Sequence, residues 1–360
     1  MDFWILLAIY IFFMLIMSFF VNEKKRKIIY FVELFSLTII SGFRSEIGED
    51  YSGYVGLFFN CDVTENVLVY PEYSFQLLVT IIKYIGLDYQ VLFLIYSILI
   101  SICIYYISLA FFDAWLYRII FISIWAIAPF DMGYWYSMNV IRQYLSIAII
   151  TLVYCKDNTN RIKLFGIILA GIIHTSAFIA VAITYMFKEH ICKFSCVLIV
   201  MIGVIFSFTS WHSSFMSNII SYVGIYESYV DFVSNNTSGL GVSNYVFLML
   251  WAALMLFLNI HKNKDKLLIT FITLATALRF ILIVPYVRVS AFFSMAFILA
   301  IVYLMNKINI RRCILACLVI FTIFSSMYVY MINNTVHGHS TDWRKSAGNI
   351  VYEYNFKIIR

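Results

Sequence analysis

Charge is what this 360-residue chain lacks most. Asp, Glu, Lys and Arg make up 12% of it, against 63% hydrophobic residues that include 34 Phe and 27 Tyr. With a mean hydropathy of +0.91, that balance excludes an ordinary soluble domain. No low-complexity segment, interdomain linker or internal repeat stands out. The first apolar run, Phe3 to Val21, follows Met1 and Asp2 with no basic leader and no small-residue cleavage site, so it reads as a retained span rather than a removable signal peptide. The seven cysteines form no disulfide framework. Cys192/Cys196 and Cys313/Cys317 are each one helical turn apart, but no His or carboxylate cluster completes a metal site, and they read as packing thiols. The net charge of +6 is not a nucleic-acid signal, because the basic residues lie in short runs between apolar segments.

What is present is a succession of Leu-, Ile- and Phe-rich runs of membrane-span length. Closed β-barrels show short alternating segments instead, and none dominate here. The expected fold class is an all-α polytopic integral membrane protein. A single transmembrane domain would cover residues 1–360, with about eleven spanning helices plus re-entrant or interfacial ones. Basic clusters at Lys24–Lys27, Lys156 with Arg161 and Lys163, Lys188 with Lys193, Lys262 to Lys266, and Lys307 with Arg311 and Arg312 mark cytoplasmic loops. Residues 43–72 hold one base, Arg44, against six acids, and residues 211–243 hold Glu227 and Asp231 with no base; both read as external loops, as does the tail from about 333 to 360.

Parity then exposes two irregular segments. Between external Glu72 and cytoplasmic Lys156 the crossings must be odd in number, and runs near 90–110, 115–131 and 138–155 supply three. The run Tyr73–Gly86 is left over, and is expected to be an interfacial or re-entrant helix. Residues Ile162 to Phe187 lie between two cytoplasmic clusters, yet are too few to cross twice at about 1.5 Å per residue. A broken hairpin with His174 at its apex fits, since irregular backbone at membrane depth is tolerated where it lines a cavity. A single tilted span that violates the charge rule at Lys188 is the alternative.

On this map polar groups gather at the external side: Arg44 and Asp50 after the second span, Glu72 before the interfacial helix, Asn139, Arg142 and Gln143 at a span start, His174 at the apex, and Arg279 and Arg288 near outer helix ends. Arginines at membrane depth are expensive unless they meet anions. A guanidinium fork pairs with phosphate oxygens, and a helix N-terminus adds its dipole, so this face suits a lipid-linked diphosphate. Each residue also has a plainer reading: a structural ion pair for Arg142 or Arg279, a snorkelling anchor for Arg288, a packing role for His174.

The pattern Arg44-x-x-x-Gly48-x-Asp50-Tyr51-x-x-Tyr54 resembles the EpsG family of Wzy-type polysaccharide polymerases. So do Glu72-Tyr73 opening a short apolar helix, Asn139-x-x-Arg142-Gln143, His174-x-Ser176-Ala177, and the ending Tyr352-x-Tyr354-x-Phe356-Lys357. Glu49 makes the first loop more acidic than is usual in that family. The resemblance implies a GT-C-like membrane glycosyltransferase at the outer face of a bacterial inner membrane. It would move a growing glycan from undecaprenyl diphosphate to a hydroxyl of the next lipid-linked repeat, in O-antigen, capsule or exopolysaccharide synthesis. On that reading the partners are the undecaprenyl-diphosphate-linked oligosaccharide, the lipid bilayer, a chain-length regulator and a flippase. No nucleic acid and no cofactor are called for, and the enzyme is expected to be metal-independent.

Within that reading Arg142 is the first candidate for the diphosphate, followed by Arg279, Arg288 and Arg44. Asp50 and His174 compete for the role of base, with Glu72 behind them. Gly48, Tyr51, Tyr54, Asn139 and Gln143 complete the expected substrate-binding set. Two other classes stay open: a lipid-linked oligosaccharide flippase, which would show pseudo-symmetric halves, and a membrane O-acyltransferase using an intramembrane His.

Overall fold

A computed structural model describes residues 3–45, 47–48, 50–60, 72–155, 159–188, 192–208, 242–281, 287–337 and 355–356. Among these residues there are fifteen helices and one two-stranded ribbon. The folded chain divides into two compact units, Met1–Thr175 with Met305–Arg360, and Ser176–Leu304.

The first unit contains α1 (Phe3–Phe20), α2 (Glu23–Gly42), α3 (Tyr51–Asn60), α4 (Tyr73–Tyr84), α5 (Gln90–Phe111), α6 (Trp115–Ile127), α7 (Tyr134–Asn139), α8 (Ile141–Cys155), α9 (Asn160–Ile173) and, as the return segment, α15 (Ile310–His337). Asn22 starts α2 by accepting the Lys25 N–H at 3.1 Å, which satisfies one of the orphan donors of a helix start. The basic run Lys24–Lys27 therefore lies in the first turn of α2 rather than in a loop. The helix α8 is buried nearly all round, from Ile141 through Val153, as a helix apolar on every side must be. It packs between α5 and α9, while α2 packs on α5 and α6. Small polar groups fasten these contacts: Tyr30 with Ser108 at 2.9 Å, Ser97 donating to Ser41 at 2.7 Å, and Tyr134 donating to the Leu37 carbonyl at 2.6 Å.

Two expected spans are shorter than the apolar pattern suggests. The run 115–131 ends as a helix at Ile127, because Pro129 forces the preceding Ala128 into extended backbone (φ −63°, ψ 130°). The run 138–155 is two helices, α7 and α8, interrupted at Val140 (φ −112°, ψ 61°). The short apolar helix expected at Tyr73–Gly86 is present as α4, twelve residues long. The break expected at His174 is present too: α9 stops at Ile173 and His174 is extended (φ −152°, ψ 116°). Arg44 and Ser45 form strand β1, which pairs antiparallel with β2 (Asn355–Phe356), so the tail's backbone runs beside the start of the 43–72 segment.

The second unit contains α10 (Ser176–Lys188), α11 (Lys193–Ser207), α12 (Val242–Phe257), α13 (Asn263–Ile281) and α14 (Val287–Met305). The helix α13 is its centre, with α10, α11 and α12 packed on it. Gly203 lets α11 come close, since a Cβ there would lie 3.1 Å from the Ala277 carbonyl oxygen. The α12–α13 turn is closed by the Asn259 N–H donating to the Asp265 carboxylate at 2.8 Å.

Three of the described helices are long and apolar enough to cross a bilayer: Gln90–Phe111, Arg288–Met305 and Ile310–Met327. Shorter apolar helices include Ile5–Phe20, Trp115–Ile127, Ile141–Cys155 and Lys193–Ser207. Large apolar side chains such as Phe13, Phe165, Phe194 and Leu315 are exposed, as lipid-facing residues are. The chain is a multi-pass, all-α membrane protein. The 211–243 loop lies almost wholly outside the described residues, as do Glu46, Glu49, Cys61, Asp62, Glu65 and Pro285.

Candidate functional site

In the first unit three helix ends bring together three residues far apart in sequence. Glu72 precedes α4, Arg142 is the second residue of α8, and His174 follows α9. One Glu72 oxygen, Oε2, lies 2.5 Å from Arg142 Nη1, and the other, Oε1, is in hydrogen-bond contact with His174 Nδ1. The three side chains are only partly open to the surface, at 7% for Glu72, 20% for Arg142 and 17% for His174. Ser74 also ties α4 to α9, its hydroxyl donating to the Ile172 carbonyl at 2.9 Å. These contacts hold the start of α4 against the His174 break.

Aromatic rings enclose the guanidinium. Its central carbon lies 4.8 Å from the Phe75 ring centroid and 5.3 Å from that of Tyr54. Such faces attract a cation while excluding water. Arg142 Nε is buried and has no hydrogen-bond partner among the described residues. Burial pushes the Tyr54 phenol above its ordinary value, an effect Arg142 opposes. The phenol therefore stays protonated, and its oxygen accepts a hydrogen bond from the Arg142 guanidinium.

The expected loop residues build a wall beside this cluster. Gly48 has φ +101°, and a Cβ there would come within 2.6 Å of Asn139 Oδ1, so only glycine permits this approach of the loop to α7. Tyr51 stacks on Phe93 with ring centroids 4.9 Å apart. Asp50 stands just before α3, and its carbonyl accepts the Tyr54 N–H at 3.0 Å. Gln143 is buried one residue beyond Arg142.

Arg44 lies deeper than the other residues of the expected set. Expected to hold substrate, it is 0% exposed. Its Nη1 donates to the Ser41 carbonyl at 2.6 Å, its Nη2 to the Met138 carbonyl at 2.8 Å, and its guanidinium lies 4.4 Å from the Phe93 ring centroid. Gln90 adds to the same junction by donating to the carbonyls of Gly42 and Arg44 at 2.6 and 3.1 Å. Arg44 therefore positions α7, and with it the start of α8, instead of facing a ligand.

Arg279 and Arg288 belong to the second unit. Arg279 is buried in the last turn of α13, its guanidinium 3.8 Å from the Phe247 ring centroid and 3.5 Å from the Ser243 hydroxyl. Arg288 is exposed in the first turn of α14. Phe75, against the Arg142 guanidinium, is absent from the sequence-derived set, although it lies three residues after Glu72 and so on the same turn of α4. Among the described residues no three His, Cys, Asp or Glu side chains gather as a metal site requires.

The arrangement is a buried arginine, paired with one Glu72 oxygen and hydrogen-bonded to Tyr54, beside a carboxylate–imidazole pair. If Glu72 is ionised it accepts the Nδ1 proton of His174, which leaves Nε2 as a lone-pair acceptor. The model of the EpsG family matches residues 27–343, a span that takes in every residue of this cluster. No curated protein and no solved structure matches the chain.

Proposed function

The chain belongs to the EpsG family, and from that premise, joined to the Arg142–Glu72–His174 cluster, we propose that it is a polysaccharide polymerase. Its donor is a glycan carried on undecaprenyl diphosphate, its acceptor a hydroxyl of the next lipid-linked repeat, and its site faces the outside of the bacterial inner membrane. The observation that carries this is the joining of a ring-enclosed arginine to an oriented histidine at helix ends.

In the proposed reaction the bond from the anomeric carbon to the diphosphate oxygen breaks, and the diphosphate leaves with the electron pair. The acceptor oxygen forms the new bond to that carbon and gives its proton to His174 Nε2. A direct displacement of this kind inverts the anomeric centre. Arg142 stabilises the charge that develops on the leaving diphosphate, a role whose removal typically lowers the rate by about 10²–10³. His174 acts as general base, held in its tautomer by Glu72, for roughly 10²–10⁴ more. Asp50 stands at the edge of this site as the competing base. The donor is already activated, so neither nucleotide nor metal ion enters the scheme.

Arg142→Ala tests the reading. Cells carrying it should lose long polysaccharide while keeping single lipid-linked repeats, provided the variant reaches the membrane in normal amount. Normal chain-length ladders from such cells would remove Arg142 from the reaction. Purified protein should extend synthetic lipid-diphosphate repeats without nucleotide and in the presence of a chelator. A flippase would instead leave repeats stranded on the inner leaflet, and an acyltransferase variant would lose only acyl esters.

A further inference from the structure

We propose that Glu72 is an exchangeable internal anion: it neutralises Arg142 while the site is empty, and the diphosphate of the incoming lipid displaces it. This rests on the reading of the donor as a lipid diphosphate, and it adds a control step to the site.

Geometry supports the exchange. An arginine fork is built to take two oxygens side by side. Here Glu72 offers Arg142 only Oε2, because Oε1 is engaged with His174. Arg142 Nε is left without a hydrogen-bond partner among the described residues, though it is buried. Glu72 and Tyr54 thus balance and hold the guanidinium, while its Nε edge is left for a ligand with more oxygens. A diphosphate brings more oxygens and more charge, and can satisfy both edges of the guanidinium. Phe75 and Tyr54 keep the guanidinium in place through the exchange, since they hold it by its faces.

Glu72 has somewhere to go. It sits at the N-cap position of α4, yet its side chain caps none of that helix's first N–H groups. Released from Arg142, the carboxylate keeps its contact with His174 and gains the positive end of α4. There it is no longer paired with Arg142, and it keeps the His174 ring oriented with Nε2 turned away from it.

The test separates binding from turnover. Purified wild-type protein and Glu72→Gln are titrated with farnesyl diphosphate by tryptophan fluorescence, and single-step glycan transfer is timed separately. Glu72→Gln should bind the probe about tenfold tighter, because a charge-assisted competitor has been removed. Its kcat should fall about a hundredfold, because His174 has lost its orienting charge. KM and kcat thus fall together. Equal or weaker probe binding by Glu72→Gln would overturn the exchange. Should Glu72→Gln fail to fold, Glu72→Asp replaces it: one methylene shorter, it cannot reach Arg142 and His174 together, so probe binding should again tighten, and equal or weaker binding overturns the exchange. If the wild type binds the probe and the variant tightens it, but neither transfers glycan, the exchange stands and the polymerase reading fails.

Discussion

Replacing Arg44 separates a scaffold from a substrate ligand. In the structure its guanidinium is sealed from the surface and donates to two main-chain carbonyls, Ser41 at 2.6 Å and Met138 at 2.8 Å, with Phe93 beneath it. Hydrogen bonds from a charged donor contribute about 1.5–3 kcal/mol each in water-soluble proteins. Side-chain hydrogen bonds between membrane helices average nearer ~0.6 kcal/mol, because the unfolded chain in lipid also finds partners. Removing both bonds and the ring contact should therefore destabilise the first unit by about 2–4 kcal/mol. Arg44→Ala should unfold at a clearly lower temperature in detergent. Arg44→Lys should recover only part of the loss, because one ammonium cannot span both carbonyls as the fork does. Whatever Arg44→Ala protein remains folded should bind farnesyl diphosphate as the wild type does. The reasoning is refuted by the opposite pattern: unchanged melting with lost probe binding, which would restore Arg44 to the substrate-binding set.

Two further outcomes follow from local geometry. Gly48→Ala should lower stability and polymer output together, because it combines a left-handed backbone with a 2.6 Å clash against Asn139, whereas Gly53→Ala and Gly56→Ala, which meet nothing within 4 Å, should be neutral or gain up to about 1 kcal/mol from helix propensity; melting curves of the three variants give the comparison. Cys192 caps α11, is exposed, and has its thiol pulled below the ordinary range by its hydrogen bond with Ser195. It should be the fastest of the six described cysteines to react with a maleimide. A membrane-impermeant maleimide should reach it only from the cytoplasmic side, and labelling from outside intact spheroplasts would reverse the assigned orientation.

The parts of the site that were legible in the sequence are those where charge had to be explained. Glu72, Arg142 and His174 each interrupt an apolar run, and topology alone put them on one side. The break at His174 was legible because the segment between two basic clusters is too short to cross twice, and a single span would violate the charge rule at Lys188. The surroundings of Arg44 were hidden for the same reason that it was noticed. Its charge is evident, but the carbonyl that satisfies it belongs to Met138, ninety-four positions away. No local pattern distinguishes an arginine that meets a ligand from one that meets a distant backbone oxygen. Phe75 was hidden among 34 phenylalanines, where nothing but proximity to Arg142 sets it apart. The interruption at Val140 carries neither Gly nor Pro, so a continuous span was the natural reading. At Ala128 the signal, Pro129, was present but was outweighed by the apolar residues around it.

The Arg142–Glu72 pair is better explained by chemistry than by stability. Taking two charges out of water offsets most of their mutual attraction, and buried pairs replaced by apolar residues often leave a protein as stable or more so. The first unit has ample apolar packing around α8 and does not need an ion pair to hold it. Breaking only one side of such a pair is what destabilises, typically by about 3–5 kcal/mol. Once established, the pair therefore resists stepwise loss, but that does not explain why it is placed at three helix ends beside a histidine. A structural bolt would be better placed within helices, where its partners are rigid. Helix ends, by contrast, leave backbone donors unused and let a carboxylate shift without unravelling an element. On the proposed exchange, Arg142 at this position passes from an internal anion to an external one while the surrounding packing stays as it is.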